Sequence, residues 1–313
     1  MQPLIHWFGQ GSGDPNTLGG KGVGLERLAR LGFPIPPGFC LSTTAYHRYL
    51  EVHTLHRRIT ELHAGLPDET ARQTLAGLAH AFPFPDDLAM ALAAGLETLA
   101  QQRAGRSLLA VRSSALGEDA ATTSFAGAHE TALGVPLHDV DNAIRRCWAS
   151  LYSARAVAYR RRKGLGFDNA AMAVVVQVLV PAEVSAVAFT RNPVSGQDDE
   201  ILINATWGLG ETIVSGTVTP DTVILEKATL RIRQAEPGTK TVQLVARDGG
   251  GTATVPTTKG GFALDDLALT ALGELCRQVE EGFGQPMDIE AAFAAGQWYL
   301  LQARPITTKR AGT

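Results

Sequence analysis

The sequence predicts an α+β protein built as two lobes, and three observations carry that reading. Short apolar, β-branched runs such as AMAVVVQVLV at 171–180 have the length of buried strands, and longer stretches at helical spacing separate them. Two alternating strands near the end, 287–293 and 298–306, fold back on each other around Ala-Ala-Gly-Gln. The 313 residues, 45% of them hydrophobic, are enough for two separate cores. The reading divides the chain into an N-terminal lobe, 1–190, and a C-terminal lobe, 191–313.

Composition narrows the partners. A net charge of −3 gives no basic footprint for nucleic acid. No apolar run approaches the roughly 20 residues that span a bilayer, and the N-terminus lacks the charged start and apolar core of a secretion signal. Cys40, Cys147 and Cys276 are odd in number and widely spaced, as reduced thiols are. A soluble, cytoplasmic protein without nucleic-acid or membrane partners is expected.

Taken in order, residues 11–22 (GSGDPNTLGGKG) form a turn-rich loop leading into a helix at 23–31, which Gly32 and Pro34 stop. Lys21 therefore stands at a helix N-terminus, where the dipole and N–H groups favour an anion; a solvated capping-loop lysine is the alternative. The loop is not a Walker A motif, because Pro15 replaces its first glycine and Gly22 its Ser or Thr. Residues 40–41 enter a strand, and Ser42 or Thr43 caps a helix carrying Tyr46 and Tyr49. Two to four helices follow to residue 103, with histidines that have no partners at ligand spacing.

The apolar run 108–111 reads as a strand ending at Arg112, followed by two serines, Glu118, Asp119 and a small-residue loop around Phe125-Ala126-Gly127. A guanidinium fork beside a Gly- and Ser-rich loop suits a polyphosphate; a surface arginine and a flexible loop is the plainer reading. Residues 140–164 read as one helix with Ile144, Cys147, Trp148, Leu151 and Tyr152 inward. In the strand 171–180, Gln177 is either a core glutamine or the mark of a strand end that offers main-chain groups to a purine. Further strands are expected at 184–190 and 201–204, then a loop Trp207-Gly208-Leu209-Gly210-Glu211 whose GxG lacks the third glycine of a dinucleotide fingerprint. A hairpin at 223–226 and 229–233, a mobile glycine loop within 240–261 and a helix at 264–283 complete the second lobe.

The register of the last hairpin decides what its polar residues can do. A three-residue loop, Ala295-Gly296-Gln297, sets Glu290 opposite Gln302 and Asp288 opposite Arg304, all on one face, with Ile289, Leu301 and Ala303 behind. A four-residue loop scatters them. In the first register two carboxylates and an amide oxygen form a hard donor set suited to Mg²⁺ on nucleotide phosphates, and Arg304 can hold charge on a transferring phosphoryl group. A half-buried hairpin with one solvated face is the alternative.

Lys21 in GGKG, Arg112 in VRSSA with the following SFAG, GLGE at 208–211 and DIE…LQARPIT at 288–307 occur in this order. Together they resemble the N-terminal nucleotide-binding part of the phosphoenolpyruvate synthase, pyruvate phosphate dikinase and rifampicin phosphotransferase family, over nearly the whole chain. Details such as PGFCL at 37–41 and CWASL at 147–151 lean toward the rifampicin phosphotransferase branch.

The resemblance implies an ATP-grasp fold with ATP between two lobes. It implies phosphate binding by Lys21 and Arg112, with Gly127 and Thr131 lining the phosphate loop. Gln177, Val178 and Leu179 would contact adenine, and Glu183 adenine or ribose. Glu290 and Gln302 would bind Mg²⁺ with Asp288 nearby, and Arg304 would act on the phosphoryl group. Ala128 stands where the family commonly has a polar residue, and Arg191-Asn192-Pro193 departs from the acidic residue often seen there. None of the eight histidines sits in the family's Thr/Ser-Gly-Gly…Ser-His acceptor run. The implied activity is therefore a dikinase-type step toward a histidine on a separate swivelling domain, with a substrate-binding domain and a small-molecule final acceptor elsewhere. A non-catalytic nucleotide-binding module and an ATP-grasp ligase are the alternatives.

Overall fold

In the computed structural model, residues 3–11, 13–55, 57, 77, 80–102, 108–116, 130–162 and 170–306 are described. The chain divides into two units, Met1–Glu26 with Pro37–Leu179, and Arg27–Pro36 with Val180–Thr313. The strand 184–190, placed in the first lobe from sequence, lies in the second unit.

Among the described residues the first unit carries a five-stranded antiparallel sheet. Its order is β1 (Ile5–Trp7), β2 (Gly38–Leu41), β5 (Met172–Val178), β3 (Leu108–Ala115) and β4 (Thr131–Pro136). β5 is central, and every residue in it is buried, which explains its unbroken β-branched composition. One face, with Phe39, Leu41, Leu109, Val111, Val174 and Val176, packs against α2 (Thr43–Val52), α3 (Asp86–Gln102) and α4 (Val140–Ser150) to make the core.

Several elements differ from expectation for local reasons. Helix α1 (Pro15–Arg30) begins eight residues early, because Asp14 accepts from the Asn16 N–H and the Thr17 hydroxyl and so caps a first turn that starts at Pro15. It is interrupted at Gly19, whose φ of 65° is not helical. β3 runs three residues past Arg112. The expected single helix at 140–164 is two, α4 and α5 (Ala154–Arg162), because the Ser153 side chain accepts from the Ala156 N–H and starts a new helix. The inward stripe from Ile144 to Tyr152 is buried as expected.

The second unit holds a six-stranded antiparallel sheet ordered β13 (Gln297–Pro305), β12 (Met287–Ala294), β6 (Val184–Phe189), β7 (Glu200–Trp207), β8 (Asp221–Glu226) and β9 (Ile232–Glu236). After β7 comes the short helix α6 (Glu211–Val214). Helix α7 (Asp266–Phe283) covers one face. Asp265 caps it through the Ala268 N–H, and Gly284 at φ 65° ends it. The Trp298 indole donates to the Ala268 carbonyl, tying β13 to the helix. The stretch 240–261 also contains a hairpin not expected from sequence, β10 (Val242–Ala246) and β11 (Thr252–Pro256), and the glycine triplet is the loop between its strands. Its base is fixed by Asp221, fully buried, which accepts from the Lys240 ammonium and the N–H groups of Gly238 and Ala263.

Candidate functional site

In the first unit, strand pairing sets Arg112 opposite Thr131 on one side and Val175 on the other, and Gln177 opposite Ala110 and Gly38. Directly opposed residues share a face. Arg112, Ser114, Thr131 and Gln177 therefore stand together on the face away from the α2–α4 core. Gln177 is buried. A Cβ on Gly38 would lie 2.5 Å from its Cγ, so only a glycine lets the amide side chain cross that strand. The Val178 N–H donates to the Pro37 carbonyl at 2.9 Å and the Leu179 N–H to the Leu108 carbonyl at 3.0 Å. The main-chain groups these residues can offer a base are thereby narrowed to carbonyls.

The break in α1 meets this same face. The Ser114 hydroxyl donates to the Leu18 carbonyl at 2.7 Å and accepts from the Gly22 N–H at 3.0 Å. Lys21 sits between those two anchors, in the first turn of the restarted helix, where the macrodipole favours a bound anion. Gly127 and its neighbours at 117–129, including Ala128 and His129, lie outside the described residues.

In the second unit the hairpin pairs Glu290 with Gln302 and Asp288 with Arg304, as expected, by a route that was not. The turn has two residues, Ala295 and Gly296, with φ of 51° and 75°, as a primed hairpin turn needs. A bulge then inserts Leu301 opposite the Glu290/Ala291 step and restores the pairing. Leu301 packs with Val180, Ala292 and Ala294 instead of behind the polar face; Leu300, fully buried, takes that place beside Ile289 and Ala303. The expected three-residue loop is thus corrected while the pairing stands.

Arg304 is held by Asp288. Its Nε and one terminal nitrogen both lie 2.8 Å from Asp288 Oδ2. That oxygen is committed to the guanidinium, so Asp288 orients Arg304. No cluster of three His, Cys, Asp or Glu that could hold a metal occurs among the described residues. Glu290 and the opposed Gln302 amide are both oxygen donors of the hard kind that a divalent cation takes. On the same sheet face, Ser185 pairs with Ala292 and Thr206 with Ser185; Thr206 Oγ1 is buried without a hydrogen-bond partner. Glu183 accepts from the Ala295 N–H at 2.8 Å and its carbonyl from the Gly208 N–H at 3.0 Å, joining the hairpin turn to the GLGE loop.

Residues 15–313 match the family model described as the pyruvate phosphate dikinase AMP/ATP-binding domain. The chain belongs to this family. A probable phosphoenolpyruvate synthase of Methanocaldococcus jannaschii is 36% identical over 99% of this chain and 27% of its own length. The phosphoenolpyruvate synthase of Pyrococcus furiosus is 33% identical over 97% and 44%, and the rifampicin phosphotransferase of Streptomyces sviceus 39% identical over 93% and 34%. The chain therefore spans less than half the length of these relatives. It is a dikinase-family domain for ATP, within an ATP-using transferase family. No helix among the described residues is long and apolar enough to cross a membrane.

Sequence reasoning missed Ser114 and Thr206. Two serines after an arginine carry no pattern of their own, and Ser114 gains its part only from Gly22, 92 residues earlier. The Asp288–Arg304 pair was legible as a cross-strand pair, while the contact of Asp288 Oδ2 with the guanidinium was not.

Proposed function

We propose that this chain is the Mg·ATP-binding part of a dikinase-type phosphotransferase, passing the β-phosphoryl group of ATP to a histidine on another domain or subunit and leaving AMP and phosphate. Lys21 and Arg112 bind and orient the phosphates, with Gly127 and Thr131 beside them. Gln177 and the carbonyls of Val178 and Leu179 meet the base, with Glu183 reaching the ribose or base. Mg²⁺, when bound, neutralises phosphate charge, and Glu290 and Gln302 would hold it. Arg304, oriented by Asp288, balances the charge that develops on the phosphoryl group. A substrate-binding domain, on another chain or in further length such as the relatives have, would bring the small-molecule final acceptor.

The observation that supports this most is the single polar face of the hairpin, Glu290 with Gln302 and Asp288 with Arg304, in a chain that matches the family model almost throughout. Calorimetric titration with ATP, with and without Mg²⁺, followed by product analysis, tests it. Mg²⁺-dependent binding is expected. Glu290→Ala should remove the Mg²⁺ dependence, and Arg304→Ala should keep ATP binding while abolishing transfer to an acceptor histidine domain. Absence of ATP binding by the parent sinks the proposal. Binding without any transfer to such a domain favours a regulatory nucleotide-binding module.

A further inference from the structure

The Ser114 hydroxyl is fully buried and makes two hydrogen bonds to one short stretch of another element. It donates to the Leu18 carbonyl, on the near side of the break in α1, and accepts from the Gly22 N–H, on the far side. At the break the chain comes so close to β3 that a Cβ on Gly19 would lie 2.1 Å from the Ser114 carbonyl oxygen. Gly19 also holds a φ of 65°, which residues with side chains rarely adopt. Cys40 closes the underside, its Sγ 3.7 Å from the Leu18 carbonyl.

A helix interrupted by glycine has orphan groups on both sides of the gap, the last carbonyl of the first turn and an early N–H of the second. One hydroxyl can satisfy both, because it donates once and accepts as well. Here it does so at a fixed point on β3, two residues from Arg112 and on the same face. The height and rotation of the restarted helix are thereby set against the strand that carries Arg112. Lys21 lies between the two anchored residues.

We propose that Ser114 is a positioning residue for Lys21, setting it and Arg112 as one unit against the polyphosphate of a nucleoside triphosphate. This rests on the nucleotide reading above. Ser114 touches no ligand itself; it acts through the α1 break.

The prediction separates positioning from plain stability. A nucleoside monophosphate uses the base-side contacts at Gln177–Leu179 and little of Lys21, whereas the triphosphate needs both. In Ser114→Ala the affinity for ATP should fall about tenfold, the scale of one lost buried hydrogen-bond partner, with AMP affinity nearly unchanged. In a Lys21→Met background, adding Ser114→Ala should cost little more, because groups acting as a unit are not additive. Calorimetry with ATP and AMP on the four proteins, with melting temperatures as a fold control, reads both effects. Should Ser114→Ala fail to fold, Ser114→Cys, which keeps the shape with a weak donor, is read in the same way. An ATP-to-AMP affinity ratio equal to the parent's, or full additivity with Lys21→Met, overturns the proposal. Failure of the parent itself to bind ATP overturns the nucleotide reading instead.

Discussion

The α1 break and the β12–β13 hairpin solve the same problem in different ways. Each sets charged side chains on the face of a sheet opposite its helix-packed core. The hairpin does so by local means: a two-residue turn, alternation and one bulge place Asp288, Glu290, Gln302 and Arg304 together on two adjacent strands. The break depends on a hydroxyl 92 residues away and on a glycine that lets two backbones meet. Local placement follows from alternation and so can be read from sequence. Placement from a distance exists only once the sheet has formed, and it concentrates its cost in one or two residues.

The greatest loss should come from the clamp that joins separate elements of the second unit, Asp221 of β8 with Lys240 and the N–H groups of Gly238 and Ala263. Lys240→Met leaves Asp221 fully buried without its cationic partner, and should destabilise the protein by about 3–5 kcal/mol. Denaturant unfolding would show it; a loss near zero would mean that the backbone N–H groups of Gly238 and Ala263 suffice for the carboxylate.

Gly19→Ala comes next. It adds a Cβ in backbone contact at a positive φ and should cost about 2–4 kcal/mol. Gly296→Ala is its matched control. At a φ of 75° with nothing within 4 Å of the added Cβ, it should cost only about 1 kcal/mol. Equal costs at the two glycines would erase the contrast between clamp and turn.

Deleting Leu301 tests the hairpin alone. It removes the bulge while leaving Glu290 opposite Gln302 and Asp288 opposite Arg304, because Leu301 is the extra residue in the ladder. Mg²⁺-dependent nucleotide binding should survive within about threefold, with a stability loss of roughly 1–2 kcal/mol for a half-buried leucine. Loss of the Mg²⁺ dependence would show that the bulge aims the donors instead of merely restoring their pairing.

The smallest effect concerns the thiols. Burial pushes Cys276 up to about 12, with Glu280 adding to it and Lys227 opposing. Burial likewise raises Cys147 to about 12 and pushes Cys40 upward. Native protein should therefore stay unlabelled by iodoacetamide at pH 8, since only the thiolate reacts. The folded state keeps thiol protons that the unfolded chain loses above the ordinary thiol range, so these groups make stability decline as pH rises beyond about 9. Cys40 lies beneath the α1 break and Cys276 on α7. In Gly19→Ala, Cys40 should label before Cys276, and the reverse order would place the local opening elsewhere.

By itself the sequence determined the α+β class, the buried strand around Val174–Val178 and helix α7 with its Gly284 stop, and it offered the pairing of Glu290 with Gln302 and Asp288 with Arg304 as one of two registers. Each rests on periodicity, a cap or alternation, which are properties of neighbouring residues. It also marked Lys21 and Arg112 as candidate phosphate ligands. The restart at Ser153 and the hairpin around Gly249-Gly250-Gly251 are local outcomes, a side-chain cap and a short ladder, that periodicity did not reveal. Tertiary structure alone decided that β6 joins the second sheet. It alone joined Ser114 to the α1 break. Those outcomes depend on hydrogen bonds between segments far apart in the chain, and no local pattern encodes which donor will meet which acceptor until the sheets are assembled.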